Sequence, residues 1–371
     1  MDSNNKSIEK EQKIESSKSN DYFKNLKSKF ILKKILDNLR KHKILTIVKI
    51  NKDIQNRLSL SINNYKEYCE LFTPIVIEVT PLENTTGYFI NLFDTDKEKE
   101  YYHIYFDDKK EEIKKNELTE EDKVKKITII IDHQILSLKK LFYYCKCIES
   151  IHFIKFNRTN ITDMSYMFSY CQSLKEIKFS HFITSNVTDM SGIFNFCSAL
   201  KEIDLSNFDT KNVTDMSSMF YGCTSLLNLN LSNFNTSNVR NMNCMFYDCS
   251  SLTKLDLSNF DTKNVLYMSS IFSYCTSLKD INVSNFNTEK VINMSNMFSF
   301  CKELKKLNVL NFNTNNCLDM NSMFYECLSL EELDISKFNT EHVSDKEFMF
   351  FKCQEQLKSK ISQQNHNVEL D

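Results

Sequence analysis

Residues 201–226 read KEIDLSNFDTKNVTDMSSMFYGCTSL, and close variants of this unit recur along the chain every 26 residues. Cysteine keeps the period without a slip and stands at Cys145, Cys171, Cys197, Cys223, Cys249, Cys275, Cys301, Cys327 and Cys353. A phenylalanine stands three residues before each of these cysteines. Self-similarity at such a period predicts a solenoid, in which each repeat stacks only on its neighbours.

The two halves of the unit have different hydrophobic periods. In the first half Ile203 and Leu205 point to one side and Glu202 and Asp204 to the other, which predicts a short, half-buried strand. In the second half the apolar residues follow a helical spacing. They are Val213, Met216, Met219, Phe220 and Cys223. We therefore predict an α/β fold: a leucine-rich-repeat-type solenoid of strand-turn-helix repeats.

Counting back by 26 residues places the first strand at residues 127–131 and the first helix at 134–145. The count gives nine strands, the last at residues 333–335. Parallel strands stack about 4.8 Å apart, whereas packed helices need about 8–10 Å. The solenoid is therefore expected to bend, with its parallel sheet on the concave face. The final repeat loses its pattern, so residues 358–371 are expected to be a polar C-terminal tail.

The residues before the repeats have a different character. Residues 1–20 are polar and are expected to be a disordered tail. Residues 21–122 are predicted to form a small α+β region, with helices at about 22–68 and strands at about 73–106, namely 73–80, 88–93 and 101–106. Residues 107–126 are predicted to be a charged linker or an exposed helix. The solenoid is assigned to residues 123–357.

The composition of the chain restricts the classes of binding partner and the cellular locations that we expect. The 371 residues carry a formal charge of −2, so no overall field favours nucleic acid. No apolar run reaches the roughly 18–20 residues of a membrane span, and the first residues lack an apolar signal core. We expect a monomeric, cytoplasmic protein; the alternative is a protein that reaches the cell surface by an unrecognised route.

The repeated unit, IDLSNFDTKNVTDMSSMFYGCTSL at residues 203–226, closely resembles the 26-residue repeat of the BspA-like leucine-rich repeat family, found in bacterial and protist surface proteins. The resemblance covers residues 125–357. It implies a solenoid that binds proteins, often in adhesion, and it carries no catalytic residues to transfer. Surface members usually have a secretion signal and an anchor, and neither is evident here. An exported adhesin or antigen is therefore kept as an alternative function.

A second resemblance lies at residues 30–58, FILKKILDNLRKHKILTIVKINKDIQNRL, which are similar to an F-box. It implies a substrate adaptor of a ubiquitin ligase. The stretch lacks the Leu-Pro start and the tryptophan that such motifs often carry. The alternative interpretation is a helical cap on the solenoid.

No motif for catalysis, for a cofactor or for a metal is present in the sequence. We call residues that keep the 26-residue period ladder residues; besides the cysteines and phenylalanines above, they include methionines from Met164 to Met320. The ladder cysteines and methionines lie on the apolar face of the predicted helix, where both residue types are ordinary core residues. Zinc sites need clustered ligands, and the only close cysteine pair in the repeats is Cys145 and Cys147. We therefore predict a protein without enzymatic activity that needs no cofactor.

The outward strand positions form the one large surface whose residues vary between repeats, whereas packing holds the buried positions to one type. We predict that this surface binds a protein partner. One column of it is Lys178, Asp204, Asn230, Asp256, Asn282, Asn308 and Asp334; the flanking column is Glu176, Glu202, Asn228, Lys254, Asp280, Lys306 and Glu332.

Overall fold

The computed structural model describes residues 55–56, 73–92, 101–132, 135–365 and 370. Contacts divide the chain into two compact units, Met1–Thr73 and Pro74–Asp371. The predicted tail of residues 1–20, nearly all of the predicted helices at 22–68 and most of the F-box-like stretch lie outside the described residues. The second unit holds all the repeats, and it also includes residues 74–122, which were predicted to belong to a separate region.

The second unit begins with a six-stranded sheet that leads into the repeats. Its strands lie in the order β4-β3-β6-β1-β7-β8, while β2 and β5 pair separately. The eight strands are β1 (Ile75–Pro81), β2 (Gly87–Tyr88), β3 (Tyr102–Phe106), β4 (Glu112–Ile113), β5 (Glu117–Leu118), β6 (Ile127–Ile131), β7 (Ile148–Lys155) and β8 (Glu176–Phe179). Residues 107–126, predicted to be a linker or a helix, thus contain two short strands.

The predicted first repeat strand is displaced from the stack. Strand β6 matches the prediction at residues 127–131, but β1 lies between it and β7 and runs antiparallel to both. Val79 of β1 faces Ile127 on one side and Ile151 on the other. The first parallel pair is β7 with β8. The inserted strand comes from outside the 26-residue pattern, so counting by repeats could not place it.

The strand half of the repeat has the predicted phase. Strands β9 (Lys254–Asp256) and β10 (Asp280–Asn282) pair in parallel, as do β11 (Lys306–Leu307) and β12 (Glu332–Leu333). Each pair joins residues 26 positions apart, for example Leu255 with Ile281. Where the strand geometry is less regular, the alternation persists: Ile203 and Leu205 are buried, and Glu202 and Asp204 are exposed.

The predicted helices are absent from the repeats. Residues 135–353 contain turns where helices were expected. Within one repeat Ser218 and Gly222 have φ angles of 54° and 69°, in the left-handed region that ends a helix. Local hydrogen bonds join only some residues to the third residue before them, such as Met219 N to Met216 O at 3.3 Å.

Alternate amides of the turn segment donate to the next repeat, namely those of Met216, Ser218, Phe220 and Gly222. Ser218 N donates to Asn243 O at 2.8 Å, and Phe220 N donates to Met245 O at 2.9 Å. Parallel bridges also join the turn segments at 26-residue steps, from Ser137 to Asp345. Backbone hydrogen bonds therefore connect neighbouring repeats on the turn side as well as on the strand side. The bend was predicted from the wide spacing of packed helices. Because turns replace those helices in the repeats, this reason for a concave strand face does not apply.

The core inside each coil is as predicted. Successive ladder phenylalanines stack on one another, with centroids 5.7 Å apart for Phe220 and Phe246 and again for Phe246 and Phe272. The ladder methionines are fully buried. Each ladder thiol from Cys171 onward donates to a carbonyl of the preceding repeat, as Cys249 Sγ does to Phe220 O at 3.2 Å. These cysteines are free and buried, so they act as core residues.

A helix closes the C-terminal end where a polar tail was predicted. Helix α1 (Glu355–Gln364) buries Leu357 and Ile361. Its Gln364 side chain accepts a hydrogen bond from Ile335 N at 3.1 Å, which satisfies a backbone amide of the last strand segment. Such capping is expected where a repeat stack meets water. Within the described parts of the chain, no helix is both long and apolar enough to cross a membrane.

Candidate partner-binding face

The structure brings the fourteen predicted residues together on one surface, here called the strand face. All of them lie on the outward side of the strand segments, and all except Asp334, which is half-buried, are exposed. The parallel register aligns them in two columns. Lys254 lies beside Asp280, and Asp256 lies beside Asn282. Within these strand pairs, residues of the two columns predicted from spacing are therefore direct neighbours in the fold.

In the column that contains Asp256, hydrogen bonds from nearby backbone N–H groups orient the aspartate and asparagine side chains. Asp204 Oδ1 accepts from Ser206 N at 3.0 Å, and Asp256 Oδ1 accepts from Ser258 N at 3.0 Å. The amide side chains follow the same rule, since Asn230 Oδ1 accepts from Ser232 N at 3.1 Å. A bond to the amide two residues further on is the Asx-turn pattern of Asp and Asn. Each of these side chains is thus oriented before any partner arrives.

These hydrogen bonds also favour the charged form of the aspartates. The backbone N–H of Ser206 lowers the pKa of Asp204, and that of Ser258 lowers the pKa of Asp256. For Asp334 the Ser336 side chain is the main cause of a lowered pKa. A carboxylate that accepts N–H or O–H donors is stabilised in its ionised form. The column therefore offers fixed negative charges at neutral pH.

The order of these groups along the column is specific. The aspartates present carboxylates, while Asn230 and Asn282 present Nδ2 groups that donate no hydrogen bond within the described residues. Following the column gives a cation at Lys178, then acid, amide, acid, amide, amide and acid. Neighbouring groups are one strand spacing apart, about 4.8 Å. This row can recognise a partner by hydrogen bonds and charge, and it contains no nucleophile paired with a base.

Exposed ion pairs join residues of the flanking column to the first column and to one another. Lys178 Nζ lies 3.0 Å from Glu176 Oε1, and Lys306 Nζ lies 2.5 Å from Glu332 Oε1 in the next repeat. Pairs of this exposure contribute about 0–1 kcal/mol to stability. These ion pairs contribute little to the stability of the fold, so their charges remain available for a partner.

The strand face deepens at its C-terminal end. A depression of about 650 Å³ lies over β10–β12, and its lining includes Asn282, Asn308 and Leu310. Helix α1 forms one wall through Lys360, whose Nζ donates to Glu331 O at 3.3 Å. The result is a shallow groove with an apolar contact, two amides and charges of both signs.

Sequence reasoning missed Leu310 and Lys360. Leu310 occupies the position that is Ser206, Ser232, Ser258 and Ser284 in earlier repeats. This break in the pattern was a usable signal. Lys360 carried no such signal, because residues 358–371 were expected to be a tail and only the fold brings the helix to the face. The described residues contain no group of side chains that could hold a metal ion.

Comparison with known proteins matches the repeats to a family model. Residues 136–255, 200–306 and 249–364 match the family described as "Mycoplasma protein of unknown function, DUF285". Among solved structures, a leucine-rich repeat protein from Bacteroides ovatus matches at 16% identity with a TM-score of 0.29, over 64% of this chain and 67% of that chain. No curated protein gives a match.

The 26-residue unit is a BspA-like leucine-rich repeat, and the family matches cover it. The three family matches overlap and together run from residue 136 to residue 364, more than half of the chain. The protein belongs to the DUF285 family.

Proposed function

We propose that this protein is a non-enzymatic interaction protein that binds a protein partner through its strand face. The observation that carries the proposal is the column of Asx-bonded side chains, from Asp204 to Asp334. Their orientation is fixed by backbone donors, so binding costs little side-chain entropy. Residue types vary along this column while the buried positions stay nearly constant.

Charge supports a protein partner for this face. Fixed carboxylates, lysines and amides are interspersed over seven repeats. A mixed pattern of this kind favours a surface that carries the complementary pattern, because charge complementarity sets register and association rate. A polyanion such as nucleic acid would meet repulsion from Asp204 and Asp256, whose pKa values are lowered.

The groove over β10–β12 is the proposed centre of the contact. It combines Leu310, which is 38% exposed, with the amides of Asn282 and Asn308. Binding energy concentrates where an apolar anchor enters a pocket surrounded by polar groups. Lys360 on α1 places a cation at its edge.

A photo-crosslinking experiment tests the location. A photoreactive amino acid replaces Asn308 on the strand face or, in the control, Glu289, which is exposed outside both columns. Each full-length variant is incubated with the cell extract of the source organism and irradiated, and adducts are identified by mass spectrometry. We expect one defined protein adduct at position 308 and none at 289. Equal adducts at both positions, or adducts at 289 alone, would contradict the proposal.

A further inference from the structure

The hydrogen bonds between the strand segments of neighbouring repeats alternate along the solenoid. They lie at the residue that directly precedes the flanking column, where the backbone amide donates to the carbonyl 26 residues earlier in every second repeat. The four bonds measure 2.8–3.0 Å: Lys175 N to Glu149 O, Leu227 N to Lys201 O, Lys279 N to Thr253 O and Glu331 N to Lys305 O. Lys201, Thr253 and Lys305 are all described, and their own amides make no such bond.

The strand pairs divide the repeats at the same places. β7 pairs with β8, β9 with β10, and β11 with β12. Among the described residues, no strand pairing joins β8 to residues 201–205, residues 227–231 to β9, or β10 to β11. The repeats are therefore joined two by two on the strand side. We call each such pair a double repeat, and we call the three boundaries between double repeats the junctions.

Aromatic rings on the turn side show the same grouping. Within a double repeat the rings stack, with planes 22° apart for Tyr170 and Phe196 and 7° apart for Tyr221 and Tyr247. Across the junction between these two double repeats, Phe196 and Tyr221 are tilted by 56°. In the next two double repeats the angle is 19° inside each, and the tilts at the second and third junctions are 42° and 47°. Contacts on both sides of the coil thus define the same units.

The double repeat is also present in the sequence. Tyr170 and Phe196 directly precede their ladder cysteines, whereas Tyr221 and Tyr247 stand one residue earlier. The ring position changes again after every second repeat, up to Phe351. A count in steps of 26 residues treats all repeats as equal and does not detect this longer period.

The turn side remains bonded at every junction. At the first junction, for example, Gly192 N donates to Ser217 O at 2.8 Å. Parallel bridges between turn segments run through all three junctions. The corner that follows the strand segment is bonded as well, since the Thr236 hydroxyl pairs with Asp261 across the second junction. Backbone bonding is therefore interrupted at the junctions on the strand side alone, and segments with fewer hydrogen bonds open more readily.

Two features show looser packing of the strand side at the junctions. Leu229, beside the second junction, is only partly buried, whereas Ile203 and Leu255 at the same position of the neighbouring repeats are 9% and 4% exposed. The depression over β10–β12 spans the third junction, with Asn282 on one side and Asn308 on the other. The strand face is thus already widened at two of the three places where strand pairing is interrupted.

We propose that the three junctions are hinges, at which the strand face opens and closes while the turn side stays bonded as the pivot. Each double repeat moves as a rigid block, and the residues of a junction absorb the change, as in other hinged proteins. The hinges follow from the bonding pattern and do not depend on the proposed function. If the strand face binds a partner, they allow the spacing between blocks to adjust to it.

Distances between paired spin labels on the full-length protein measure this movement. One pair is Lys178→Cys with Asp334→Cys on the strand face, and the matched control is Thr188→Cys with Ser344→Cys, exposed on the turn side. Both pairs are six repeats apart and span all three junctions, about 29 Å at one strand spacing per repeat. Cys244→Ser in both proteins removes the half-buried thiol, and serine stands at that position in three other repeats.

We expect the distance distribution of the strand-face pair to be at least about twice as wide as that of the turn-side pair, because only the strand side opens. The labels and the number of repeats are the same, so the label itself does not produce the difference. Equal widths, or a wider distribution on the turn side, would overturn the hinges.

Residue-resolved amide hydrogen exchange on the unaltered protein tests the alternation itself. The bonded amides of Leu227 and Lys279 should exchange at least about tenfold more slowly, after correction for intrinsic rates, than the amide of Thr253 at the second junction. Lys201 and Lys305 should exchange as fast as Thr253. Similar protection at all five positions would mean that the strand side is joined at every repeat, and the double repeat would then be wrong.

Discussion

Thr236 and Asp261 form a closed pair of hydrogen bonds between neighbouring repeats. The Thr236 hydroxyl donates to Asp261 O at 3.0 Å and accepts from Asp261 N at 2.8 Å. The same pair recurs one repeat earlier, between Thr210 and Asn235. These threonines are almost completely buried. A single hydroxyl thus satisfies both backbone groups of a residue in a segment that has neither helix nor strand geometry.

Replacing Thr236 by valine should reveal how much this pair stabilises the solenoid. Valine keeps the shape but leaves the N–H and C=O of Asp261 without their partner, which costs about 1–3 kcal/mol. Thr236→Ser keeps the hydroxyl and should cost less. Thr253→Val, at an exposed position, is the control and should stay within about 0.5 kcal/mol. Urea unfolding measures all three, and a Thr236→Val cost as small as that of the control would contradict the account.

The phenylalanine stack should be most sensitive in the middle of the solenoid. Phe246 is fully buried between Phe220 and Phe272. Phe246→Ala should lower the free energy of unfolding by about 3–5 kcal/mol, because it removes a buried aromatic ring and leaves a cavity. Asp256→Asn on the strand face should change it by no more than about 0.5 kcal/mol. If chemical denaturation gives similar values for both, the assignment of inward and outward positions is wrong.

Thiol labelling of the native protein should distinguish the ladder from Cys244. The ladder cysteines are buried, whereas Cys244 is half-buried in a turn. Burial raises the pKa of Cys223 and Cys275 to about 12, so almost no thiolate is present at pH 8. Site-resolved mass spectrometry should show Cys244 modified before any ladder cysteine, and the ladder modified only after denaturant is added. Rapid labelling of the ladder without denaturant would refute its place in the core.

The same thiols predict a loss of stability at alkaline pH. In the unfolded chain a thiol titrates near 9.0, whereas burial raises the pKa of Cys275 to about 12 in the fold. The stabilisation is fully present below pH 9 and is lost as the pH rises toward 12, because only the unfolded state releases the proton. Each such thiol contributes a slope of up to about 1.4 kcal/mol per pH unit.

Comparison with a variant isolates this contribution from the lysines and tyrosines that titrate in the same range. Unfolding free energies of the unaltered chain and of Cys275→Ala are measured from pH 7 to pH 10.5. The variant should show a shallower decline above pH 9, and the two slopes should agree below pH 8. Parallel curves over the whole range would mean that Cys275 is not shielded in the native state.

The sequence predicted the repeat register and the direction of the strand side chains, because burial imposes a period of two on residues such as Ile203 and Leu205. It failed for the turn half. The spacing is helical for Val213, Met216, Met219, Phe220 and Cys223. A series of four-residue turns, with hydrogen bonds such as Met219 N to Met216 O, directs these side chains inward equally well. Hydrophobic periodicity indicates which way side chains point, but it does not indicate which carbonyl each backbone amide donates to. The amide of Phe220, for example, donates to the next repeat.

The positions of the residues with left-handed φ angles could not be predicted from the sequence either. Glycine marks this conformation at Gly192 and Gly222, but Tyr170, Asp248 and Phe300 adopt it elsewhere in the repeats. The strand face itself was predictable, since all fourteen of its residues lie on the outward side. The sequence did not predict the arrangement at the C-terminal end, because only the folded chain places Lys360 beside β12.

The most direct test of the strand face is the affinity of an identified partner for a charge-reversed chain. Asp204→Lys and Asp256→Lys are combined in the full-length protein, and Glu289→Lys with Glu341→Lys, exposed outside the two columns, is the matched control. We predict at least about a tenfold weaker Kd and an altered salt dependence for the first variant, an unchanged Kd for the second, and the same circular dichroism for both. A partner that ignores the reversal at Asp204 and Asp256, yet is lost when residues 1–73 are removed, would contradict the account.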